Sequence, residues 1–426
     1  MQRLHRVLVL SLTIAFCVAT SGCASFDGGA PLDSPPPLSD VSGESSDDIA
    51  SSAAGDASAE ERQPSDPLQV SDFYPSNIGT TIKRLSGNGP DRGVAQQLYE
   101  EAEALYDEAV AEQAREAGEA ARESFIEAGA KYAAAANRWP DSALEEDALF
   151  RAGESLFFAD RYVKANERFE ELLEKYPNSR YLDLVSARRF EIAQYWIKLD
   201  DADGAPVVAL NLTDKQRPWS DTFGHAIRIY DKMRLDDPTG KLADDATIAA
   251  ANAHFARGNF LDADQYYTDL RRHFPSSEHQ FMAHYLGIQA KLRSYRGPEY
   301  AGEVLDEAEK LVKQVRRQFP SESREHDVQL EKAYREIRYR QAEREWTLAN
   351  YYYRRRHYGA ARFYYNLILK DYDDTPFADE ARAKLLETSG KPRTPPQRLA
   401  WLVELFPDEK SSTPVMTSAE EGTSQR

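Results

Sequence analysis

Few side chains in this sequence have the type and spacing that chemistry requires. Seven histidines follow the N-terminal segment, and the closest pair, His279 and His284, is five residues apart. Two metal ligands on one face of a helix need a spacing of three or four, so this pair does not predict a metal site. The sequence also lacks a nucleophile-elbow motif, a phosphate-binding glycine loop and an H-E-x-x-H motif. It therefore predicts no catalytic residue, no metal site and no cofactor.

Cys23 is the one residue whose surroundings predict a covalent modification. A short basic start is followed by an apolar run over residues 7–20, and small residues lead directly to the cysteine. This order is typical of a cleaved export signal, and the run is too short to span a bilayer. Cys17 lies inside the segment that would be removed, so Cys23 is the only cysteine of the mature chain. An internal disulfide is then impossible.

This start resembles a bacterial lipoprotein signal, in which cleavage leaves a cysteine that carries acyl chains. The resemblance implies a signal peptide at 1–22, palmitate-type acylation of Cys23 and attachment to a membrane through that lipid. Thr20 departs from the pattern, because leucine usually stands three residues before the cysteine. The alternative is an ordinary secretory signal followed by a chance cysteine. Ala24, rather than aspartate, follows the cysteine, and the resemblance then implies the outer membrane.

Basic side chains are concentrated at one place in an acidic chain. The net charge is -18 over 426 residues, which argues against nucleic acid as a partner, since its phosphates attract basic surfaces. Four arginines stand out against this background: Arg354, Arg355, Arg356 and Arg362. One interpretation is a patch that docks on an acidic partner. The other is a solvated helix end, where the helix dipole favours cations.

Three kinds of sequence surround these candidates. Residues 23–92 are rich in Ser, Pro and Asp and predict a flexible tether, with an end-to-end distance on the order of 45 Å. From 93 to 390 apolar residues recur at three and four, which predicts helices joined by short turns. The tail, 391–426, holds one apolar piece, QRLAWLVELFP. It predicts a short helix that caps the last repeat, in a tail that is otherwise disordered.

The helical part is punctuated at fixed intervals by an aromatic residue, a proline and, two places later, a serine or threonine. The interval from Pro140 to Pro177 is 37 residues, and the interval from Pro238 to Pro275 is the same. Proline cannot continue a helix, so it ends one helix before the next begins. Fixed-period similarity of this length indicates a solenoid.

The serine after the proline is expected to cap the next helix. Ser142 has Glu145 three residues later, and Ser277 has Gln280 at the same spacing. Both pairs have the pattern of a capping box, in which side chains satisfy free amide groups at a helix start.

Small and aromatic residues lie twelve and eight places before each stop. Such pairs let two antiparallel helices approach closely while the aromatic ring fills the gap beside them. The pairs are Ala128 with Tyr132, Ala165 with Phe169, Ala226 with Tyr230, Ala263 with Tyr267, and Ala361 with Tyr365; Gly153, Ala251 and Ala349 are the facing small residues. The scheme resembles the tetratricopeptide repeat. It predicts an all-α fold, a solenoid of antiparallel helix pairs, and makes these residues core.

Two irregularities interrupt the repeats. An insert at 199–220 stretches one interval between prolines to 61 residues, and insertions in solenoids often lie on a binding face. The second irregularity is a long helix, predicted at about Arg324–Arg356.

The last repeats contain the stretch LANYYYRRRHYGAARFYYNLILKDYDDTPFADEA, with paired tyrosines, a basic turn and an aromatic second helix. These features resemble the BamD family, lipoproteins of the outer-membrane β-barrel assembly machinery. The resemblance covers Ala243–Leu386, whereas residues 93–242 show only general repeat similarity. Arg356 departs from the family, which often has glycine there.

The resemblance implies a protein that is not an enzyme and that faces the periplasm from the outer membrane, held by its lipid. Its C-terminal repeats, 243–390, would contact a BamA-type barrel protein. Its N-terminal repeats, 93–242, would offer a groove to unfolded outer-membrane protein peptides. The alternative is a periplasmic tetratricopeptide-repeat adaptor in cell-wall or division-related envelope organisation, because the long tether leaves room for that role.

Overall fold

The computed structural model describes residues 89–396, apart from 116, 204–209 and 212. The signal peptide, Cys23, the tether up to residue 88 and the tail from residue 397 lie outside this range. Within it, all regular secondary structure is helical, and the predicted all-α repeat fold is confirmed. The helices are α1 (Arg92–Ala114), α2 (Gly118–Arg138), α3 (Ala143–Phe158), α4 (Tyr162–Lys175), α5 (Leu182–Asp203), α6 (Thr222–Asp236), α7 (Ala243–Ala256), α8 (Phe260–His273), α9 (Gln280–Ser294), α10 (Glu303–Gln318), α11 (Pro320–Glu325), α12 (Asp327–Arg354), α13 (Tyr358–Asp371) and α14 (Phe377–Thr388).

The described residues form two units. The first takes in the described residues up to Val185 together with Leu210–Trp219, and α1 to α4 pack in sequence within it. The second takes in the remaining described residues from Ser186 onward, and each of α6 to α10 packs on the next, as do α12 to α14. Short turns between successive helices are what antiparallel helix pairs require.

The small and aromatic positions predicted from the sequence form the core of each helix pair. All five predicted pairs are at most 1% exposed, and Ala251 and Ala349 are completely buried. Gly153 shows why a small residue is needed: a Cβ there would lie 2.3 Å from the ring of Phe169. The phenylalanine ring therefore occupies the space that a larger residue on α3 would fill.

An interval of 98 residues relates three of the helix pairs. Gly153, Ala251 and Ala349 occupy equivalent places on α3, α7 and α12. The last two pairs each contain an equivalent hydrogen bond. The Tyr267 hydroxyl donates to Asn252 on α7 at 2.8 Å, and the Tyr365 hydroxyl donates to Asn350 on α12 at 3.1 Å. The α12–α13 pair therefore repeats the α7–α8 pair in detail.

The predicted cap at Ser142 is confirmed, although the Glu145 carboxylate accepts from the Asp141 amide at 2.7 Å rather than from Ser142, and the predicted cap at Ser277 is wrong. At α3 the amide of Glu145 donates to the Ser142 hydroxyl oxygen at 3.1 Å. At α9, the helix begins only at Gln280, and the Ser277 hydroxyl accepts from His279 in the turn before it. The Gln280 side chain points back and donates to the Phe274 carbonyl at 2.7 Å, so it satisfies the end of α8 instead.

The long helix and the insert both differ in detail from the prediction. Arg324 lies in the short helix α11, and His326 separates it from α12 with φ -103° and ψ 17°. At this break the His326 ring stacks on Phe281, with ring centroids 5.4 Å apart.

In the insert, α5 continues to Asp203, and a loop closes where the Asn211 amide donates to the Trp219 carbonyl at 2.6 Å.

Candidate partner-binding surface

The turn after α12 positions the predicted basic patch. Arg355 caps the end of α12. The amide of Arg356 donates to the Tyr353 carbonyl at 2.9 Å, and the amide of His357 donates to the Tyr352 carbonyl at 3.0 Å. This pair of bonds is a Schellman motif, which needs a left-handed residue after the helix. Arg356 fills that place with a φ of 64°. The turn therefore projects successive arginine side chains away from the helix end.

Arg354, Arg355 and Arg356 are all exposed. The Arg354 Nε donates weakly to a carbonyl of its own helix at 3.4 Å, and the Arg355 guanidinium lies 4.5 Å from the centre of the Tyr351 ring. Among the described residues, no carboxylate pairs with any of the three. Three cations without acidic partners thus face solvent at one turn of an acidic chain.

Arg362 has a different environment from the other three arginines. Its Nη1 atom donates to the carbonyl oxygens of Thr388, at the end of α14, and of Lys391, the latter at 3.1 Å. Beside it, the Gly359 amide donates to the Arg393 carbonyl at 2.8 Å, and a Cβ on that glycine would lie 3.2 Å from the same oxygen. The structure thus places Arg362 where it holds the start of the tail against α13.

An aromatic ladder of four rings lies next to the arginines. Tyr351, Tyr352, Tyr364 and Phe363 follow one another with ring-centroid distances of 5.3, 5.6 and 5.3 Å. The two end rings are open to solvent, since Tyr351 is 42% and Phe363 is 63% exposed. Together with Arg354, Arg355 and Arg356, these four rings form what we call the arginine–aromatic surface.

A charged network fixes the α12 side of this region to α14. The Tyr353 hydroxyl donates to the Glu387 carboxylate, and Lys384 and Lys391 each pair with that carboxylate at 2.9 Å. The tyrosine hydroxyl, followed by the two ammonium groups, lowers the pKa of Glu387 to about 2. The carboxylate is exposed, so solvent screens these contacts. Their role is to orient the last helix.

The first unit contains a buried polar cluster on α3, not an open site. Asp147 is only 3% exposed, and it accepts a 2.7 Å hydrogen bond from the Tyr181 hydroxyl and pairs with Arg180. One turn later, Arg151 is equally buried among tyrosine rings, and burial raises the pKa of the neighbouring Tyr132. The Asp147 carboxylate thus connects α3 to the two residues that precede α5.

Among the described residues, metal-binding groups and membrane-spanning helices are both absent. These residues contain no group of His, Cys, Asp and Glu side chains arranged to hold a metal ion. Nor does any of their helices combine the length and the apolar character that crossing a bilayer requires.

Sequence reasoning selected the arginines but missed the aromatic half of the surface. The signal was present in the sequence, because Tyr351, Tyr352, Phe363 and Tyr364 flank the buried positions Ala349 and Tyr365. Aromatic residues next to core positions on both helices of a pair point to exposed rings. Which of them contact one another depends on how α12 and α13 pack.

Comparisons with known families agree with this geometry. Residues 215–391 match the YfiO family, described as an outer membrane lipoprotein, and this match includes the arginine–aromatic surface. Residues 147–179 match a tetratricopeptide repeat, which corresponds to most of α3, to α4 and to the turn that follows. No curated protein in the comparison matches the chain. The chain is therefore a BamD-like tetratricopeptide-repeat protein that is similar, over residues 215–391, to the YfiO outer membrane lipoprotein family.

Proposed function

We propose that this chain is a lipid-anchored periplasmic scaffold of the outer-membrane β-barrel assembly machinery. In this role it binds a BamA-type barrel protein and unfolded barrel precursors, and it performs no chemistry itself. The observation that carries the proposal is the arginine–aromatic surface, which lies within the residues that match the YfiO family.

The arginine–aromatic surface has the composition of a protein-binding hot spot. Tyrosine and arginine dominate the binding energy of many interfaces, and arginines without acidic partners can each accept one from a partner. An acidic face on the BamA-type protein is the complementary surface, since opposite charges also accelerate encounter. Arg354, Arg355 and Arg356 are the residues proposed to touch the partner. Arg362 supports them indirectly, because its donors are used by Thr388 and Lys391.

Barrel precursors are proposed to bind the N-terminal repeats. Helix pairs such as α1–α2 and α3–α4 stack in the first unit, and stacked helix pairs offer an elongated surface to an extended peptide. The match of residues 147–179 to a tetratricopeptide repeat supports this assignment. Unfolded barrel segments are extended chains and suit such a surface.

Attachment to the outer membrane is proposed to occur through an acylated Cys23. The family match to an outer membrane lipoprotein supports this, as does the signal-like sequence before the cysteine. The Ser/Pro/Asp-rich residues 23–92 would then connect the anchor to the repeats.

The test is affinity isolation of the tagged full chain from gently solubilised outer membranes, with mass spectrometry of the associated proteins. We expect a BamA-type barrel protein with periplasmic repeats to be enriched with the wild-type chain. The Cys23→Ala variant should leave the membrane fraction, because it lacks the acylation site. Recovery of cell-wall or division proteins without a BamA-type protein would instead support the envelope-adaptor alternative. Unchanged membrane partitioning of the variant would refute the lipid anchor.

A further inference from the structure

A pair of stacked aromatic rings on α12–α13 has an equivalent on α7–α8. The rings of Tyr352 and Tyr364 stack with their centroids 5.6 Å apart. The residues 98 positions earlier, His254 and Tyr266, stack in the same way at 5.3 Å. Each stack joins the two helices of its pair, so the two sites can be compared group by group.

The stack on α7–α8 is covered by α6, the helix that precedes this pair. The Phe223 ring lies perpendicular to the His254 ring at a centroid distance of 5.3 Å, and the Arg257 guanidinium lies 4.3 Å from the centre of the same phenylalanine ring. Further along α6, Asp231 accepts a 2.9 Å hydrogen bond from the Tyr266 hydroxyl. One helix thus supplies both an aromatic ring and a carboxylate to this stack.

The helix that precedes α12–α13 does not cover the second stack in this way. α10 is the equivalent of α6, since Leu305 and Phe223 both stand fifteen residues before the proline that follows their helix. Asp306, the next residue on α10, accepts from the Gln341 side chain at 2.9 Å. Gln341 lies eleven residues before Tyr352, which is about 16 Å along a helix. α10 therefore meets α12 three turns before the stack, and it contains no aromatic residue.

The groups that α5 and α6 satisfy at the first stack are open at the second. No residue in the described part of the chain accepts a hydrogen bond from the Tyr364 hydroxyl, whereas the equivalent Tyr266 donates to α6. Arg355 pairs with no carboxylate in that part of the chain, whereas the equivalent Arg257 pairs with Asp200 of α5 at 3.3 Å. The open stack therefore lacks an aromatic ring and acidic groups, which the covered stack receives from other helices.

We propose that the Tyr352–Tyr364 stack binds a helix of the partner, which packs an aromatic ring on Tyr352 beside Arg355 and places a carboxylate on the Tyr364 hydroxyl. This helix takes the place that α6 takes on the equivalent stack, so its aromatic and acidic residues stand eight positions apart, as Phe223 and Asp231 do. A ring that is buried against tyrosine and arginine is typical of an interface hot spot. The inference rests on the proposed function for the existence of a partner, and it specifies the segment that this partner presents.

A peptide of residues 221–237 is the probe, because it contains α6, which makes these contacts within the chain. The peptide carries a fluorophore, and its anisotropy is followed while the full chain is added. We expect saturable binding that weakens about tenfold in the Tyr364→Phe variant, which loses only the hydroxyl that donates to the carboxylate. The matched control is Tyr266→Phe, which removes the same hydroxyl from the covered stack and should leave peptide binding unchanged.

Substitutions in the peptide identify the contact. Asp231→Asn in the peptide should weaken binding to the wild-type chain, but it should have little further effect with the Tyr364→Phe chain, because both changes remove the same hydrogen bond. Phe223→Ala in the peptide should weaken binding to both chains, since the ring contact does not depend on the hydroxyl.

Three results would overturn the inference. The first is the absence of peptide binding. The second is binding that weakens with Tyr266→Phe and not with Tyr364→Phe, which would mean that the peptide displaces α6 from the covered stack. The third is self-association of the full chain that Tyr364→Phe abolishes, which would assign the open stack to a second copy.

The inference and the proposed function can fail separately. A BamA-type protein that binds the wild-type and Tyr364→Phe chains equally would contradict the inference and leave the proposed function intact. Affinity isolation without a BamA-type protein would refute the proposed function, whereas the peptide titration would still decide whether the stack binds a helix of this kind.

Discussion

Arg356 occupies the left-handed position of a turn that occurs three times among the described residues. The equivalent residues in the turns after α3 and α7 are Asp160, with a φ of 58°, and Gly258, with a φ of 83°. Each turn has the same pair of backbone hydrogen bonds. Glycine adopts this conformation without steric penalty, aspartate tolerates it, and arginine is strained by its Cβ atom. Arg356 thus adds a positive charge to the candidate surface, and its backbone is strained as a result.

Arg356→Gly should therefore raise the free energy of unfolding, by about 1 kcal/mol. Urea denaturation of the full chain measures the change. Arg355→Gly is the control, since Arg355 has an ordinary φ of -81° and should gain nothing. A lower stability of the Arg356 variant would show that its side chain makes a stabilising contact that outweighs the strain.

The His279–Asp245 pair links two helices of the second unit. The His279 Nε2 lies 2.7 Å from the Asp245 Oδ1, which connects the start of α9 to α7. This hydrogen bond raises the pKa of His279, with help from the charges of Asp244 and Glu278 and against the effect of partial burial. On α9 itself, burial lowers the pKa of His284. The pKa values of the two histidines are therefore shifted in opposite directions.

His279→Asn should destabilise the second unit more at pH 6 than at pH 9. A raised pKa in the folded state gives stability that is complete below the unfolded value, about 6.5, and that is lost as pH rises through the folded value. We expect a loss of about 1 kcal/mol at pH 6, as is typical for one hydrogen-bonded partner. Thermal unfolding at both pH values provides the measurement, with the exposed His273→Asn as control. A loss that is larger at pH 9 would contradict this assignment.

Helix pairing was predictable because its determinants are local. The small residue, the aromatic ring and the stop lie within one repeat, so their spacing alone reports the packing of Ala361 with Tyr365. Features that depend on other repeats were not accessible in this way. Ser277 does not cap α9, since Gln280 turns toward α8, and Arg362 faces the tail rather than the other arginines. Both outcomes depend on contacts between helices.

At the scale of the whole molecule, the contrast in charge favours a selective interface. The chain carries a net charge of -18, yet Arg354, Arg355 and Arg356, which pair with no carboxylate among the described residues, lie together at one turn. An acidic partner is repelled by most of such a chain and attracted at this turn, which orients the encounter. Salt should weaken this attraction, because exposed charges are screened within about 8 Å at physiological ionic strength.

The most direct test of the account is a binding titration of the full chain against the periplasmic domains of a BamA-type barrel protein. The variant combines Arg354→Glu, Arg355→Glu and Arg356→Glu, and the control is Arg335→Glu, whose side chain is 77% exposed on the same helix. The account predicts salt-sensitive binding that weakens at least about tenfold in the triple variant, or about 1.4 kcal/mol, and is unchanged in the control. Equal affinity of the wild-type chain and the triple variant, or no binding by the wild-type chain, would contradict it.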